Sequence, residues 1–506
     1  MLRSRIYDPD ASIPTRQALS VGVSIAALAD GCPSLDLGMP LVVARGNCAV
    51  CYPVERTVFM ANIQAFRGVR YDLARVGRLA EVVAPPYDVI DAEMQQALVE
   101  RHPQNVVRLE LPQREEGESD ENRYRRAGVL WRNWRREGIL QTDSRPALYV
   151  CHQLFELDGQ LIERRGFYCR LGLERFGEGK VFPHEETHSS AKQDRLHLMR
   201  ETKANFSPIF GLYEDPWNEI QTLLEGAIED STPIEAIDSN GVRHLLWMVT
   251  DIATIAQAAD LLGDRAIFIA DGHHRYETAC QYRDELATAS GGLPTDHPAN
   301  YLLACCFGMS DPGLVVLPTH RLFRGVPPIS SRELTERLGE AFDCSFAGHG
   351  PEAASDVWSE IELEGEQSTL GIYTKSDDTW TLIRLTTTGW EQMQRVSASS
   401  PRWNGLGVSL LHRLVIEELL GLNGLPAPAY VRNLDELVTG ITQGDVSGRD
   451  ATGQLGTQAA FELAAIGLPA SVEDVEEISL LGERMPAKST FFFPKLLTGL
   501  VMNPLE

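Results

Sequence analysis

The feature that most constrains this chain is a short apolar run at residues 265–270, which ends at Asp271-Gly272-His273-His274-Arg275 and gives way to a helical pattern over 276–286. Ile267, Phe268 and Ile269 are bounded by turn signals and rich in β-formers, so the run reads as a buried strand. A buried strand, a polar turn and a helix in succession form the unit from which α/β proteins are built. Glycine lets the chain swing sharply off the strand. The amides that follow point outward at a helix N-terminus, where free N–H donors and partial positive charge favour phosphate. Gly272 and His273 belong to that turn, while His274 and Arg275 add side-chain donors, the arginine as a two-pronged fork. Asp271, at the strand end, is placed to hold a divalent cation that bridges phosphate oxygens.

Similar alternation runs through most of the chain. Residues 82–89 read as a strand broken by a Pro85-Pro86 turn, Asp91 caps a helix reaching Glu100, and 106–111 is a short β run. Residues 122–137 space Tyr124, Ala127, Leu130, Trp131 and Trp134 helically, with Arg123, Arg126, Arg132, Arg135 and Arg136 largely on the other face. Asp158-Gly159 suits a two-residue hairpin between strands at 147–157 and 161–171. A strand at 314–317 runs into Pro318-Thr319-His320-Arg321, and from Ser331 the pattern restarts. A helix to Phe342, strands near 368–374 and 379–387, a helix over 409–420 and a strand at 491–493 are expected there. A chain of 506 residues, at roughly 150 per domain, allows two or three domains. The expected architecture is a two-lobed α/β protein with mixed sheets, one lobe at 60–325 and a second at 326–506. Residues 1–59 lack periodicity and read as a poorly structured extension, with Met60 a candidate for the true start.

Lys and Arg number 46 against 71 Asp and Glu, a net charge of −25 that repels polyanions. Sequence-independent binding to nucleic acid or to an anionic membrane is therefore disfavoured, and no helix-turn-helix signal is present. No uncharged apolar run approaches the ~20 residues that span a bilayer. Asp8, Asp10 and Asp30 spoil the one candidate signal peptide, at 18–29. Nine cysteines fall in no disulfide spacing, which points to a reducing, cytoplasmic setting. Cys48 and Cys51 lack the second pair that a tetrahedral zinc site needs.

Two further motifs carry chemistry. Pro183-His184-Glu185-Glu186-Thr187-His188 contains the zinc-protease pattern His-Glu-x-x-His, but Pro183 and Thr187 sit where such a helix should be long and apolar. A zinc hydrolase is thus a remote alternative. Read otherwise, Glu185 is a carboxylate able to take a proton from a substrate hydroxyl, with His184 beside it. Lys192 and Arg195 then offer positive charge to an anionic ligand. Met485-Pro486-Ala487-Lys488-Ser489-Thr490 presents one cation, two hydroxyls and backbone amides to a phosphate, without the glycine frame of a Walker A loop. Thr319, His320 and Arg321 form a lesser cluster of candidate substrate contacts.

Together these segments resemble a known family. APPYDVI at 84–90, PHEET at 183–187, KQDRL at 192–196, NFSPIF at 205–210, ADGHHRY at 270–276, LPTHR at 317–321 and MPAKST at 485–490 carry the likeness. From Met60 onward the chain resembles the family catalogued as domain of unknown function 1015, which looks related to free serine kinases and the wider ParB/sulfiredoxin superfamily. The resemblance implies a ParB/sulfiredoxin-like core. It also implies transfer of a phosphoryl group from ADP or ATP to the hydroxyl of L-serine or a related metabolite, with Glu185 as base and Asp271 associated with Mg²⁺. Gly272, His273, His274, Arg275, Lys488, Ser489 and Thr490 would then hold the nucleotide phosphates. The chain departs from the kinases in a longer stretch between its first two motifs, an N-terminal region they lack, and Ser489 where they tend to have threonine. A non-catalytic nucleotide-binding switch or scaffold is the alternative from another class.

Overall fold

The computed structural model describes residues 62–444 and 461–506, apart from 116, 188 and 264. The extension at 1–59, its Cys48/Cys51 pair and His188 lie outside the described residues. On the strand Ile267–Asp271, Ile267 and Ile269 share one apolar cluster with Phe167, Ile209 and Tyr213, while Phe268 and Ala270 share another with Tyr168, Phe210 and Phe307. Burial on both faces is why the sequence there is continuously apolar rather than alternating.

This strand belongs to a mixed nine-stranded sheet. Its order is Val181–Pro183, Ile267–Asp271, Ile209–Tyr213, Tyr301–Gly308, Gln160–Gly172, Leu148–Leu157, Arg243–Val249 and Ile234–Ile237, with Ile63–Gln64 also paired to Gln160–Gly172. A second, six-stranded sheet is antiparallel throughout. It runs Phe342–His349, Thr379–Leu385, Thr369–Thr374, Leu463–Gly467, His320–Phe323 and Ala429–Val431. One apolar cluster takes in residues of both sheets, for example Phe210 and Phe268 with Leu370 and Ile372. Among the described residues no helix is long and apolar enough to cross a membrane.

The C-terminal stretch returns to segments that precede or follow strands of the first sheet. Met485 bridges Glu185, Phe491–Phe493 pairs with Val315–Leu317, Thr498 bridges Ala84, and Asn503–Pro504 pairs with Ala204–Asn205. The fully buried Arg164 anchors it by donating to Phe493 O at 3.0 Å and to Pro494 O, its guanidinium lying 4.8 Å from the rings of both Phe210 and Phe307. Burial lowers its pKa to about 10.

The hairpin forms as expected, with Asp158 at φ 50° and Gly159 at φ 74°, the left-handed pair such a turn requires. Three expectations fail. Residues 82–89 make no strand beyond a bridge at Ala84, since neither Pro85 nor Pro86 has an N–H for a ladder; a helix Leu79–Val82 and a 3₁₀ turn Tyr87–Val89 flank them. Residues 106–111 are not β. Asn105 Oδ1 accepts the Val107 amide at 3.0 Å and starts a helix, Val107–Glu110, whose buried apolar residues gave no period to read. The helix after the glycine turn begins at His273 rather than Tyr276 and runs to Ser290.

Candidate active site

Glu185 and Asp271 arrive together because their strands run side by side. Val181–Pro183 pairs in parallel with Ile267–Asp271, in the register Val181 with Ile267 and Pro183 with Ile269. Two residues further on, each chain leaves the sheet at its carboxyl end, the edge where open α/β sheets place ligands. Met485 then joins this edge, its amide donating to His184 O at 2.7 Å, so the loop through Lys488 and Thr490 lies over Glu185. Gly272 makes the turn beyond Asp271 at φ 95°, where a Cβ would lie 2.9 Å from Ile209 Cγ2.

Hydrogen-bond directions fix the histidines. The His184 Nδ1 faces Ile269 O at 2.8 Å, and a carbonyl only accepts, so Nδ1 carries the proton. Its Nε2 therefore accepts from the Thr490 hydroxyl at 2.9 Å, a contact between residues 306 positions apart. The His184 amide donates to His273 Nε2 at 3.2 Å, which puts the His273 proton on Nδ1. Both rings are buried, 4.6 Å apart and edge to face. Burial lowers His184 to about 4 and His273 well below its ordinary value, so both are neutral at neutral pH. Neither nitrogen of His184 is left for zinc, and among the described residues no group of three metal-ligating side chains is assembled.

The charges gather beside them. Asp271 Oδ2 receives Lys495 Nζ at 2.6 Å and Oδ1 receives Arg275 Nη2 at 3.2 Å. Burial alone would raise its pKa, but Lys495 and Arg275 reverse this and hold the carboxyl far below the usual range. A carboxylate offers about four lone-pair positions, so these two contacts leave room for the oxygen coordination that Mg²⁺ demands. Glu185 goes the other way. Burial raises its pKa and Asp271 adds to the rise, with Lys488 and Lys495 pulling against them. Its Oε1 lies 3.5 Å from Thr490 Oγ1 and 3.8 Å from His184 Nε2. Lys488, at φ 58° and with its side chain 46% exposed, sets Nζ 3.6 Å from Asp88; partial desolvation opposes its charge, but Asp88, Glu185 and Asp271 together raise its pKa.

Other expected contacts are placed differently. His273 is occupied with His184, whereas His274 is half-buried on the first helical turn. Arg275 is buried and also donates to Pro208 O. Ser489 turns its hydroxyl back onto Pro486 O. Lys192 pairs with Glu277 at 2.7 Å, on the far side of the helix from Asp271's partner. Arg195, expected to meet an anionic ligand, is buried against Asp194 and Glu110 with its guanidinium 4.2 Å over Tyr87. His320 is buried edge-on to Trp358 and lowered by burial to about 3. Arg321 reaches the site through its backbone contact with Lys488, donating to that carbonyl at 3.1 Å. Lys495 was missed as a site residue; its signal was a lysine just beyond the aromatic strand Phe491–Phe493, where a side chain emerges at a strand end.

A family model described as a protein of unknown function (DUF1015) matches residues 63–409. No curated protein matches the chain. Similar solved structures include a free serine kinase in complex with AMP, at 14% identity over 63% of this chain and 89% of that chain with a TM-score of 0.29. A free serine kinase variant in complex with ADP shows 12% identity over 63% and 89%, with a TM-score of 0.30. A conserved hypothetical protein from Pyrococcus furiosus shows 13% identity over 63% and 92%, also at 0.30. Identities and scores this low transfer neither geometry nor activity to this chain.

Proposed function

The chain belongs to the DUF1015 family, and we propose that this member is a kinase passing a phosphoryl group from ADP or ATP to the hydroxyl of a small acceptor, free L-serine or a related metabolite. The observation that supports this most is the pairing of opposite pKa shifts at one sheet edge. Burial raises the Glu185 pKa, while Asp271, on the neighbouring strand, is held ionised by Lys495 and Arg275. Separation of two carboxylates in this way marks different tasks for each.

In this reading Glu185 takes the proton of the acceptor hydroxyl as its oxygen attacks the terminal phosphorus. The phosphoryl group moves to that oxygen, and the nucleotide departs one phosphate shorter. Lys488, Lys495 and the first-turn amides after Gly272 oppose the charge on the phosphate oxygens, which is most of what such a transfer needs. Mg²⁺, held by Asp271 and the nucleotide's own oxygens, would supply further charge neutralisation. The Thr490 backbone amide, hydrogen-bonded to Glu185, holds that carboxylate, and His184 in turn takes the Thr490 hydroxyl.

The test is incubation of the purified protein with ADP or ATP, Mg²⁺ and a panel of hydroxylated amino acids and metabolites, with mass spectrometry for a phosphorylated product. Glu185→Gln keeps the shape and should lower kcat by about 10²–10⁴, the usual share of general-base catalysis. Undiminished turnover in that variant removes the base assignment. Nucleotide binding with no phosphorylated product from any acceptor would instead favour a nucleotide-binding switch.

A further inference from the structure

Among the described residues four arginines are buried, and two of them face a carboxylate: Arg195 faces Asp194 and Glu110, and Arg275 faces Asp271. Arg321 does not. It sits on the strand His320–Phe323, only 5% exposed, and donates to two backbone carbonyls, Thr319 O at 2.6 Å and Lys488 O at 3.1 Å. Its Nε has no partner. Among the described residues the features that favour its charge are the Tyr430 ring, 5.5 Å away, and the more distant Glu185, and burial lowers its pKa to about 10. Arg164, the other deeply buried arginine without a carboxylate, is by contrast satisfied by Gln153 and two carbonyls.

A cavity of about 20 Å³ explains the exception. Thr319, Arg321, Gly407, Leu411, Gly467 and Ser489 border it. The Thr319 hydroxyl, like Arg321 Nε, is buried and unpartnered, so two of the residues that border this space each carry an idle polar atom. A buried guanidinium without a counter-ion is costly, and a buried donor without an acceptor adds to the cost. Space for one water-sized centre is about 10–15 Å³. The cavity thus takes one or two oxygens, the demand of a planar carboxylate, and is too small for a tetrahedral phosphate. Ser489 borders it, and the next residue, Thr490, touches Glu185.

We infer that Arg321 and Thr319 form a subsite for the carboxylate of the acceptor, so that the substrates are small hydroxy acids recognised through that carboxylate whether or not they carry an amine. The word acceptor rests on the kinase reading; the carboxylate pocket itself does not. Calorimetric titration of the full chain with L-serine, glycerate, L-serinamide, acetate and inorganic phosphate tests it, beside a separate assay for phosphorylated product. L-Serine and glycerate should each bind at least about tenfold more tightly than serinamide, the scale of one hydrogen bond to a charged group. Acetate should compete with L-serine and phosphate should not. Thr319→Val should weaken L-serine about tenfold, and Arg321→Met about 10²-fold or more. Thermal melts report whether each variant is folded, and if Arg321→Met is not, Thr319→Val decides alone. Equal binding of serine and serinamide, or unchanged serine affinity in Thr319→Val, overturns the subsite even if product forms. Carboxylate binding that the variants abolish, with no product from any acceptor, upholds the subsite and removes the kinase. Crystals soaked in acetate that hold only water in the cavity would also overturn it.

Discussion

Deleting either partner of the Lys495–Asp271 pair tests what holds the site in place. The contact is 2.6 Å and the side chains are 16% and 14% exposed, so water screens it little. Removing one member of a buried pair costs about 3–5 kcal/mol, because the other stays buried without compensation. The two single variants should differ. In Lys495→Met, Asp271 keeps Arg275 at 3.2 Å, which places the loss near the lower bound. In Asp271→Asn, Lys495 and Arg275 face each other with Lys488 acting on the same point, which places it near the upper. Because the double variant leaves neither charge stranded, its loss should fall short of the sum by about 1–3 kcal/mol. Urea unfolding curves of the four proteins measure this. The pH dependence has a definite sign. Burial raises the Asp271 pKa but Lys495 and Arg275 depress it further, so the folded value lies below the ordinary 3.8. The stabilisation is present above 3.8, is lost as pH falls toward the folded value, and is missing at every pH in Asp271→Asn. Single losses below about 1 kcal/mol, a reversed order, or strict additivity would refute the reasoning.

Two shorter expectations concern the neighbours. Gly272→Ala forces a Cβ onto a residue at φ 95°, 2.9 Å from Ile209 Cγ2 and 3.0 Å from Arg275 Nε. Left-handed strain of about 1–2 kcal/mol and crowding of about 1–3 kcal/mol should destabilise the protein accordingly in urea, and a loss under 1 kcal/mol would contradict the geometry. Lys488→Met removes the largest charge that holds the Glu185 pKa down. Since the base works only when deprotonated, the acid limb of kcat/KM should move to higher pH, and in Asp271→Asn to lower pH. Limbs that stay put would separate Glu185 from both.

What the sequence revealed follows from where each signal is stored. Strand, turn and helix around Asp271 were legible because apolar period, glycine and capping chemistry all lie within a few residues. The hairpin at Asp158-Gly159 was legible for the same reason. Residues 106–111 were not, since Val106, Val107 and Leu109 are all fully buried and a short run without polar punctuation has no period. Arg195 illustrates a different limit. A charged residue in a helix suggests either solvent or ligand, and its actual partners, Glu110 and Tyr87, lie on segments about which Arg195's own neighbourhood says nothing. His184 and His273 misled through protonation. Their residue type suggests cationic donors, but burial of His184 against Ile269 O and Thr490, and of His273 against His184, makes them neutral pins.

The charge at this site therefore comes from lysines and arginines, and much of it is contributed last along the chain. Lys488, Thr490 and Lys495 follow Met485, which lies parallel to Glu185 only because Val181–Pro183 and Ile267–Asp271 have already brought two carboxyl ends together. Arg164 then clamps the carbonyls on either side of the turn into Lys495, from a position with no solvent exposure. A side chain so deep cannot release the segment without opening the core between Phe210 and Phe307. The cations that act on Glu185 and Asp271 are thus fixed by the same packing that holds the large sheet, so their positions are set before any ligand binds, which is the condition for electrostatic preorganisation.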